Sequence, residues 1–259
     1  AKDKPFSVLD THAGRGLYDL ESEAAARSGE HLAGIGRVFA DGDAPDALVP
    51  YIDAVRRQNP FGGLRWYPGS PAIVADALRP GDSAKFCELH PEERQALDAA
   101  INDDRQARIY DIDGYQAVRA FLPPPERRGL VLIDPPFEKP GEFDRLAEAI
   151  ADGMERWASG VFMIWRPIKD EAGYSRFSRA VDAMAIDKTL SAELSVALRA
   201  ENKLTGSGLF IINPPFGLAG ELAQLLPYLA TKLAAAPGGG WALAETEKGR
   251  TLRDLRGEV

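Results

Sequence analysis

Asp134 closes an apolar run and is followed at once by Pro135, Pro136 and Phe137, in the stretch "LVLIDPPF" at residues 130–137. Two consecutive prolines fix φ and carry no backbone N–H, so the turn offers acceptors without competing donors. The Asp134 carboxylate and the Pro135 carbonyl can face the two hydrogens of a planar exocyclic NH2 group, and the Phe137 ring can stack on the heterocycle that carries it. This arrangement suits N-methylation. Accepting both hydrogens returns density to a nitrogen whose lone pair is otherwise delocalised, just as it attacks an electrophilic methyl group in line. The methylated ammonium is strongly acidic, so Asp134 need not be an unusually strong base.

A second copy, "LFIINPPF" at residues 209–216, carries Asn213 in place of the aspartate. Which copy does chemistry depends on where the other candidate groups lie. In open α/β sheets ligands bind beyond the carboxyl ends of the strands. "FSVLDTHAGRG" runs from a strand ending at Asp10 through His12 into a turn where Gly14 and Gly16 allow close backbone approach. His12 stands where a pyrophosphate-binding turn would have its first glycine, which argues against a nucleotide pyrophosphate. "FCELHP" places Glu88 after the second strand, where a carboxylate can accept both ribose hydroxyls of an adenosine-containing cofactor. "YDIDGYQ" places Asp113 and Gly114 after the third, where an acidic side chain can accept from an exocyclic amine and the glycine leaves room for a ring. Each carboxylate alone reads as an ordinary cap, Asp113 especially, because Asp-Gly is a common turn. Together, three successive strand ends point to S-adenosylmethionine, with its methionine part at the first turn.

The elements that must position these groups follow a βα rhythm from "FSVLD" to "GYSRFSRAVDAMA", and the strands lack strict alternation, as expected when helices cover both faces of a parallel sheet. Near the C-terminus, "TLSAELSVAL" and "SGLFIIN" are joined by a loop too short for a crossover helix, so they pair antiparallel. A late antiparallel strand beside a parallel sheet is the pattern of the Rossmann-like class I methyltransferase fold. The expected α/β architecture is one domain over 1–259, with a mostly parallel seven-stranded sheet and one antiparallel strand, "WALAET" lying at an edge. Residues 17–65 show helical patterning without a convincing strand and read as a helical insertion after the first strand. Asp134 then shares an edge with Asp10, Glu88 and Asp113, while Asn213 falls at the opposite edge as a structural strand terminator.

The 259 residues are 45% apolar and 27% charged, enough for a sizeable core, and no run approaches a membrane span. A cytoplasmic protein is the expectation. A single cysteine, Cys87, inside an apolar run, reads as a buried thiol, and with only three histidines a Cys/His zinc cluster is unsupported. The net charge of −8 argues against coating nucleic acid through bulk positive charge, though not against local patches. Arg127 and Arg128 precede the strand of the first PP copy; Arg15, Arg166, Lys169, Arg199 and Lys203 fall in predicted loops. The last four lie in the loops predicted after the fourth and fifth strands and between the antiparallel pair.

"KDKPFSVLDTHAGRGLY", "RWYPGSP", "ELHP", "DGYQ", "RRGLVLIDPPFE" and "SGLFIINPPF", in this order, resemble the RlmJ family of bacterial 23S ribosomal RNA adenine-N6 methyltransferases through nearly the whole chain. The resemblance implies cofactor contacts at His12, Ser70, Glu88, Asp113 and Gly114, and a catalytic Asp134. Ser70, before Pro71 and a helical run, otherwise reads as an N-cap. Two features depart from the family pattern. Members carry a segment ahead of the first strand with a Lys-His pair that helps close the cofactor site, and Phe137 replaces the more usual tyrosine. The resemblance implies methyl transfer from S-adenosylmethionine to 23S ribosomal RNA; the RNA is then expected to meet the helical insertion and the loops that carry Arg166, Lys169, Arg199 and Lys203, and a monomer without membrane or metal is the expectation. The same acceptor geometry would also serve adenine in DNA or a protein glutamine, and a module that only binds S-adenosylmethionine or RNA is the alternative of a different class.

Overall fold

Nine strands form one sheet in the computed structural model, which describes residues 4–101, 106–169, 171–198, 200 and 203–259. The first, β1 (Ser7–Asp10), is buried at all four positions, which explains its unbroken apolar character up to the terminal aspartate. The chain then leaves the sheet for a hairpin-like pair, β2 (Leu17–Asp19) and β3 (Trp66–Pro68), with helices α1 (Glu23–Ser28), α2 (Glu30–Ala33), α3 (Ile35–Val38) and α4 (Val49–Arg57) between them. It returns through α5 (Ser70–Ala77) to βα units: β4 (Ser83–Cys87), α6 (Pro91–Ile101), β5 (Ala107–Tyr110), α7 (Gly114–Phe121), β6 (Gly129–Ile133), α8 (Glu142–Trp157), β7 (Val161–Pro167) and α9 (Glu171–Ala183). The chain ends with β8 (Lys188–Ser195), β9 (Gly206–Ile212), α10 (Leu218–Leu233), β10 (Gly240–Glu247) and β11 (Arg250–Glu258).

Across the sheet the order is β11-β10-β8-β9-β7-β6-β1-β4-β5. The strands from β7 to β5 are mutually parallel, and the remaining pairings, β7–β9, β9–β8, β8–β10 and β10–β11, are antiparallel. The expected antiparallel pairing of β8 with β9 is present. The expected strand count is corrected from seven to nine, and the sheet is parallel only over half its width. Two strands, β9 and β10, run against the parallel set rather than one. "WALAET" belongs to β10, which is not at the edge, because β11 pairs outside it. β11 is rich in charge and exposed at most positions, so it lacks the half-buried alternation by which strands are recognised. β2 likewise corrects the strand-free reading of residues 17–65, and its partner β3 follows directly after them; each spans only three residues.

On one face of the sheet α8 sets Phe143, Leu146, Ala147, Ile150 and Trp157 against Val131, Ile133, Phe162 and Ile164. These apolar positions recur every three or four residues, the period that aligns one helical face. A second cluster joins α10 to β8, β9 and β10 through Leu226, Leu190, Ile211 and Leu243. Helices α3 and α4 have their own cluster, Ile35, Val38, Ile52 and Val55, which also meets α10 at Leu225 and Leu229. The Asp41 carboxylate fastens this region by accepting from Tyr228 Oη and pairing with Lys232, both at 2.6 Å, which holds it down at about 2. Cys87 is buried, and burial pushes its thiol up to about 12. No helix among the described residues is long and apolar enough to cross a membrane.

The second PP copy sits where the strand senses require. Ile212 pairs with Phe162 near the start of β7, so Asn213 lies at the edge opposite to Asp134. Its side-chain amide donates to the carbonyls of Ala158 and Gly160, both at 2.8 Å, while its backbone is left-handed at φ 52°. Asn213→Ala removes both bonds and puts a Cβ-bearing residue without a polar side chain in a left-handed conformation. The expected loss is about 2 kcal/mol of unfolding free energy, measured by urea denaturation.

Candidate active site

The carboxyl ends of β1, β4, β5 and β6 bring Asp10, Glu88, Asp113 and Asp134 to one edge. Asp10 is inaccessible to solvent. It accepts from Ser70 Oγ at 2.7 Å and from the backbone N–H of His12 at 3.3 Å. Those bonds favour its charged form, but burial outweighs them, and the charges of Asp134 and Glu88 add to the effect, so its pKa is pushed up to about 7. Ser70 is therefore not the N-cap that its sequence context suggests. Gly69 holds that position, and the Ser70 hydroxyl turns toward β1 instead.

The turn after β1 is tied to the next strand end. Gly14, at φ 61°, donates its N–H to Glu88 Oε2 at 2.9 Å, and Glu88 Oε1 accepts from the N–H of His90. His12 is largely enclosed, and burial lowers its pKa to about 4, so the imidazole is neutral at pH 7. Its Nδ1 lies 2.8 Å from Thr11 Oγ1 and its ring meets Tyr115 edge-on at 5.3 Å. Gly114 has a packing reason beside the ligand space expected of it. A Cβ there would lie 2.2 Å from the Thr11 carbonyl oxygen and 2.7 Å from the His12 ring, so glycine lets α7 close onto the β1 turn.

Asp113 and Asp134 contrast sharply. Asp113 caps α7 by accepting from the N–H groups of Tyr115 and Gln116, and its second oxygen pairs with Arg145 at 3.3 Å. Asp134 has no hydrogen-bond donor or ion-pair partner among the described residues. Its side chain is open to solvent on one side, yet enough protein surrounds it for desolvation alone to push its pKa up to about 6. Pro135 is buried and Pro136 exposed. Phe137 is half-buried at φ 51°, an uncommon conformation for an aromatic residue, and packs against Phe143 at 4.9 Å and Trp165 at 6.0 Å.

Several neighbours carry no signal in the sequence. Arg145 lies over the Tyr115 ring at 4.5 Å, and Tyr115 Oη donates to the buried Glu142 at 2.7 Å. Glu142 and Arg145, three residues apart, read as an ordinary surface pair on a helix. The expected basic contacts divide. Arg166 is a correction: it lies in β7, 2% exposed, paired with Glu193 and stacked on Tyr174 at 3.6 Å. Arg15 pairs with Glu93 at 2.6 Å. Lys169 and Lys203 are exposed, and Arg199 lies outside the described residues.

The chemistry of this donor set fits an adenosine-containing, cationic cofactor. Glu88 keeps lone pairs beyond those given to Gly14 and His90, and a neutral His12 beside the carboxylates Asp10 and Glu88 does not oppose positive charge. A central α/β sheet with these strand ends defines a methyltransferase-like protein. The model of the family described as "Ribosomal RNA large subunit methyltransferase D, RlmJ" matches residues 3–245, and the chain belongs to that family. It is 42% identical over 239 residues to a protein of Escherichia coli (strain K12) named ribosomal RNA large subunit methyltransferase J, covering 92% of this chain and 85% of that one. The protein of the same name from Haemophilus influenzae is 39% identical over 245 residues, covering 93% and 87%. A crystal structure of a Legionella pneumophila protein superposes with a TM-score of 0.86 at 32% identity, covering 93% of this chain and 89% of that one.

An aspartate with a raised pKa favours folding in its protonated form. The contribution of Asp10 to stability is full below its unfolded value near 4 and is lost as pH rises to about 7. Urea denaturation near pH 5 and near pH 8 is expected to show Asp10→Asn gaining on the wild type at the higher pH, by a few kcal/mol on the order of the linkage for such a shift. Parallel pH curves for the two proteins would contradict the burial of this charge.

Proposed function

We propose that the protein transfers a methyl group from S-adenosylmethionine to the N6 amine of an adenine in 23S ribosomal RNA. The observation that carries this reading is the Asp134 carboxylate at the head of D-P-P-F, without a donor among the described residues and on the same edge as Asp10, Glu88 and Asp113. Family membership supports ribosomal RNA as the substrate.

In this reading His12, Gly14 and Ser70 would hold the methionine part of the cofactor, Glu88 its ribose, and Asp113 with Gly114 its adenine. S-adenosylmethionine supplies an electrophilic methyl group on a sulfonium. The chain's own work is to hold the acceptor. Asp134 and the Pro135 carbonyl take the two N–H groups of the target amine, and Phe137, with Trp165 behind it, bears on the base. A pKa of about 6 leaves Asp134 ionised at pH 7, able to accept and then to receive the proton released from the methylated amine at a carboxylate oxygen. Residues 17–65 act as an inserted subdomain over this edge, and Lys169 and Lys203 are exposed cations available to phosphates.

Incubation with labelled cofactor and 23S ribosomal RNA, DNA or protein tests the reading; label in DNA or protein but not in RNA would reject it. Asp134→Ala is expected to lose about a hundredfold or more in rate, whereas Asn213→Ala keeps its rate per folded molecule. In the wild type the single-turnover rate should fall about tenfold per pH unit below a pH of about 6, as Asp134 protonates.

A further inference from the structure

Tyr18 and Tyr67 stand opposite each other in the β2–β3 pair, 6.5 Å between ring centroids, and beside them a cavity of about 620 Å3 opens between this hairpin and helices α1–α3. It lies next to the candidate active site. The Tyr18 ring rests on two glycines: a Cβ on Gly14 would be 2.9 Å from its hydroxyl, and one on Gly69 would be 3.1 Å from its Cε2. Gly14 belongs to the turn that follows Asp10, and Gly69 precedes the Ser70 that bonds to Asp10. The charges of Asp134 and Asp10 both reach the Tyr18 phenol. Tyr18 is thus the partition between the β1 turn and the cavity.

The lining selects a class of ligand. Tyr18 is 38% exposed, which leaves ring surface available for stacking, and Ile35 adds apolar wall. His31 also lines the cavity; its Nδ1 is buried without a hydrogen-bond partner among the described residues, so the ring nitrogen that a ligand in the cavity can reach is Nε2. Glu30 and Glu93 bring negative charge, and the lining cation Arg15 is committed to Glu93. Such a lining disfavours phosphate and favours a flat, uncharged heteroaromatic ring with hydrogen-bonding edges. The volume is within the range of small-ligand pockets.

We infer that this cavity receives a nucleobase flanking the target adenine, stacked on Tyr18 and met at its edge by His31, with its phosphates outside. The inference rests on the RNA-methylation reading. Extruding one adenine from its stack leaves its neighbour without a stacking partner, and an aromatic surface beside the active site restores one.

The test uses a hairpin RNA containing the target adenine, with an abasic nucleotide placed on either side of it in turn. For the wild type, one of the two abasic substrates is expected to raise KM about tenfold with kcat nearly unchanged, the size of effect that one stacked base gives. Ala25→Trp fills the cavity from α1, which lines it. This variant should show the same rise in KM on intact RNA and no further rise with the abasic substrate, while His31→Ala should show a smaller rise. Thermal melting close to wild type confirms folding. Equal abasic penalties in the wild type and Ala25→Trp, or no penalty on either side, would overturn the inference and leave methyl transfer standing. Absence of RNA methylation by the wild type would overturn both.

Discussion

A carboxylate without solvent contact sits at the centre of this edge of the sheet, and the surrounding geometry depends on it. Asp10 ends the most buried strand, and its two oxygens take a hydroxyl from α5 and an N–H from the turn that follows β1. One side chain therefore fixes three things at once: where the strand stops, how the turn toward Gly14 leaves it, and where the chain returns after the excursion through residues 17–65. Glu88 extends the same lattice by accepting from Gly14, so the β1 and β4 ends are locked in register by side chain as well as by ladder. Burying the Asp10 carboxylate is unfavourable, as its upward shift records, and the nearby charges of Asp134 and Glu88 add to it, which biases the edge toward ligands that bring positive charge or N–H groups.

The doubled PP stretch shows how one local sequence takes on two roles by strand sense alone. Both copies follow a buried apolar strand, and both need a residue that tolerates what the prolines impose. β6 runs with β1, so its aspartate emerges among the other carboxyl ends; β9 runs against β7, so its asparagine emerges beside the loop that begins β7. There the asparagine amide meets two carbonyls, Ala158 and Gly160, which an aspartate could not satisfy. The choice of Asp or Asn at the head of each motif follows from whether acceptors or donors are needed at that edge.

Much of this edge was legible in the sequence because it depends on short, local relations: a strand, then an acidic residue, then a turn. Asp10, Glu88, Asp113 and Asp134 all fall on such positions, and the brief loop between β8 and β9 reveals their antiparallel pairing. What was hidden depends on distant contacts or on weak patterning. Arg166 falls in a predicted loop, yet it lies in β7 and is drawn inside by Glu193 and Tyr174, partners on different elements. Arg145 reaches Asp113 across 32 residues from a position that reads as solvated helix. Ser70 looks like a cap until Gly69 takes that place. β11 escaped because exposure on most of its length erases the alternation that marks a strand.

The two aspartates after β5 and β6 show what the fold spends on chemistry. Asp113 takes two backbone N–H groups on one oxygen and an arginine on the other, the ordinary way for a helix start to satisfy its orphan donors, and keeps one acceptor position. Asp134 could have been stabilised the same way, since a helix start after Pro136 would have offered N–H groups. Instead, two prolines remove the nearest donors, and α8 begins only at Glu142, behind an αL glycine. The carboxylate is left partly desolvated and unpaired, a state that costs folding free energy and raises its pKa to about 6. A protein retains such a group where an incoming ligand supplies the missing donors. In the proposed reaction that ligand is an NH2 group, whose two hydrogens Asp134 and the Pro135 carbonyl would accept.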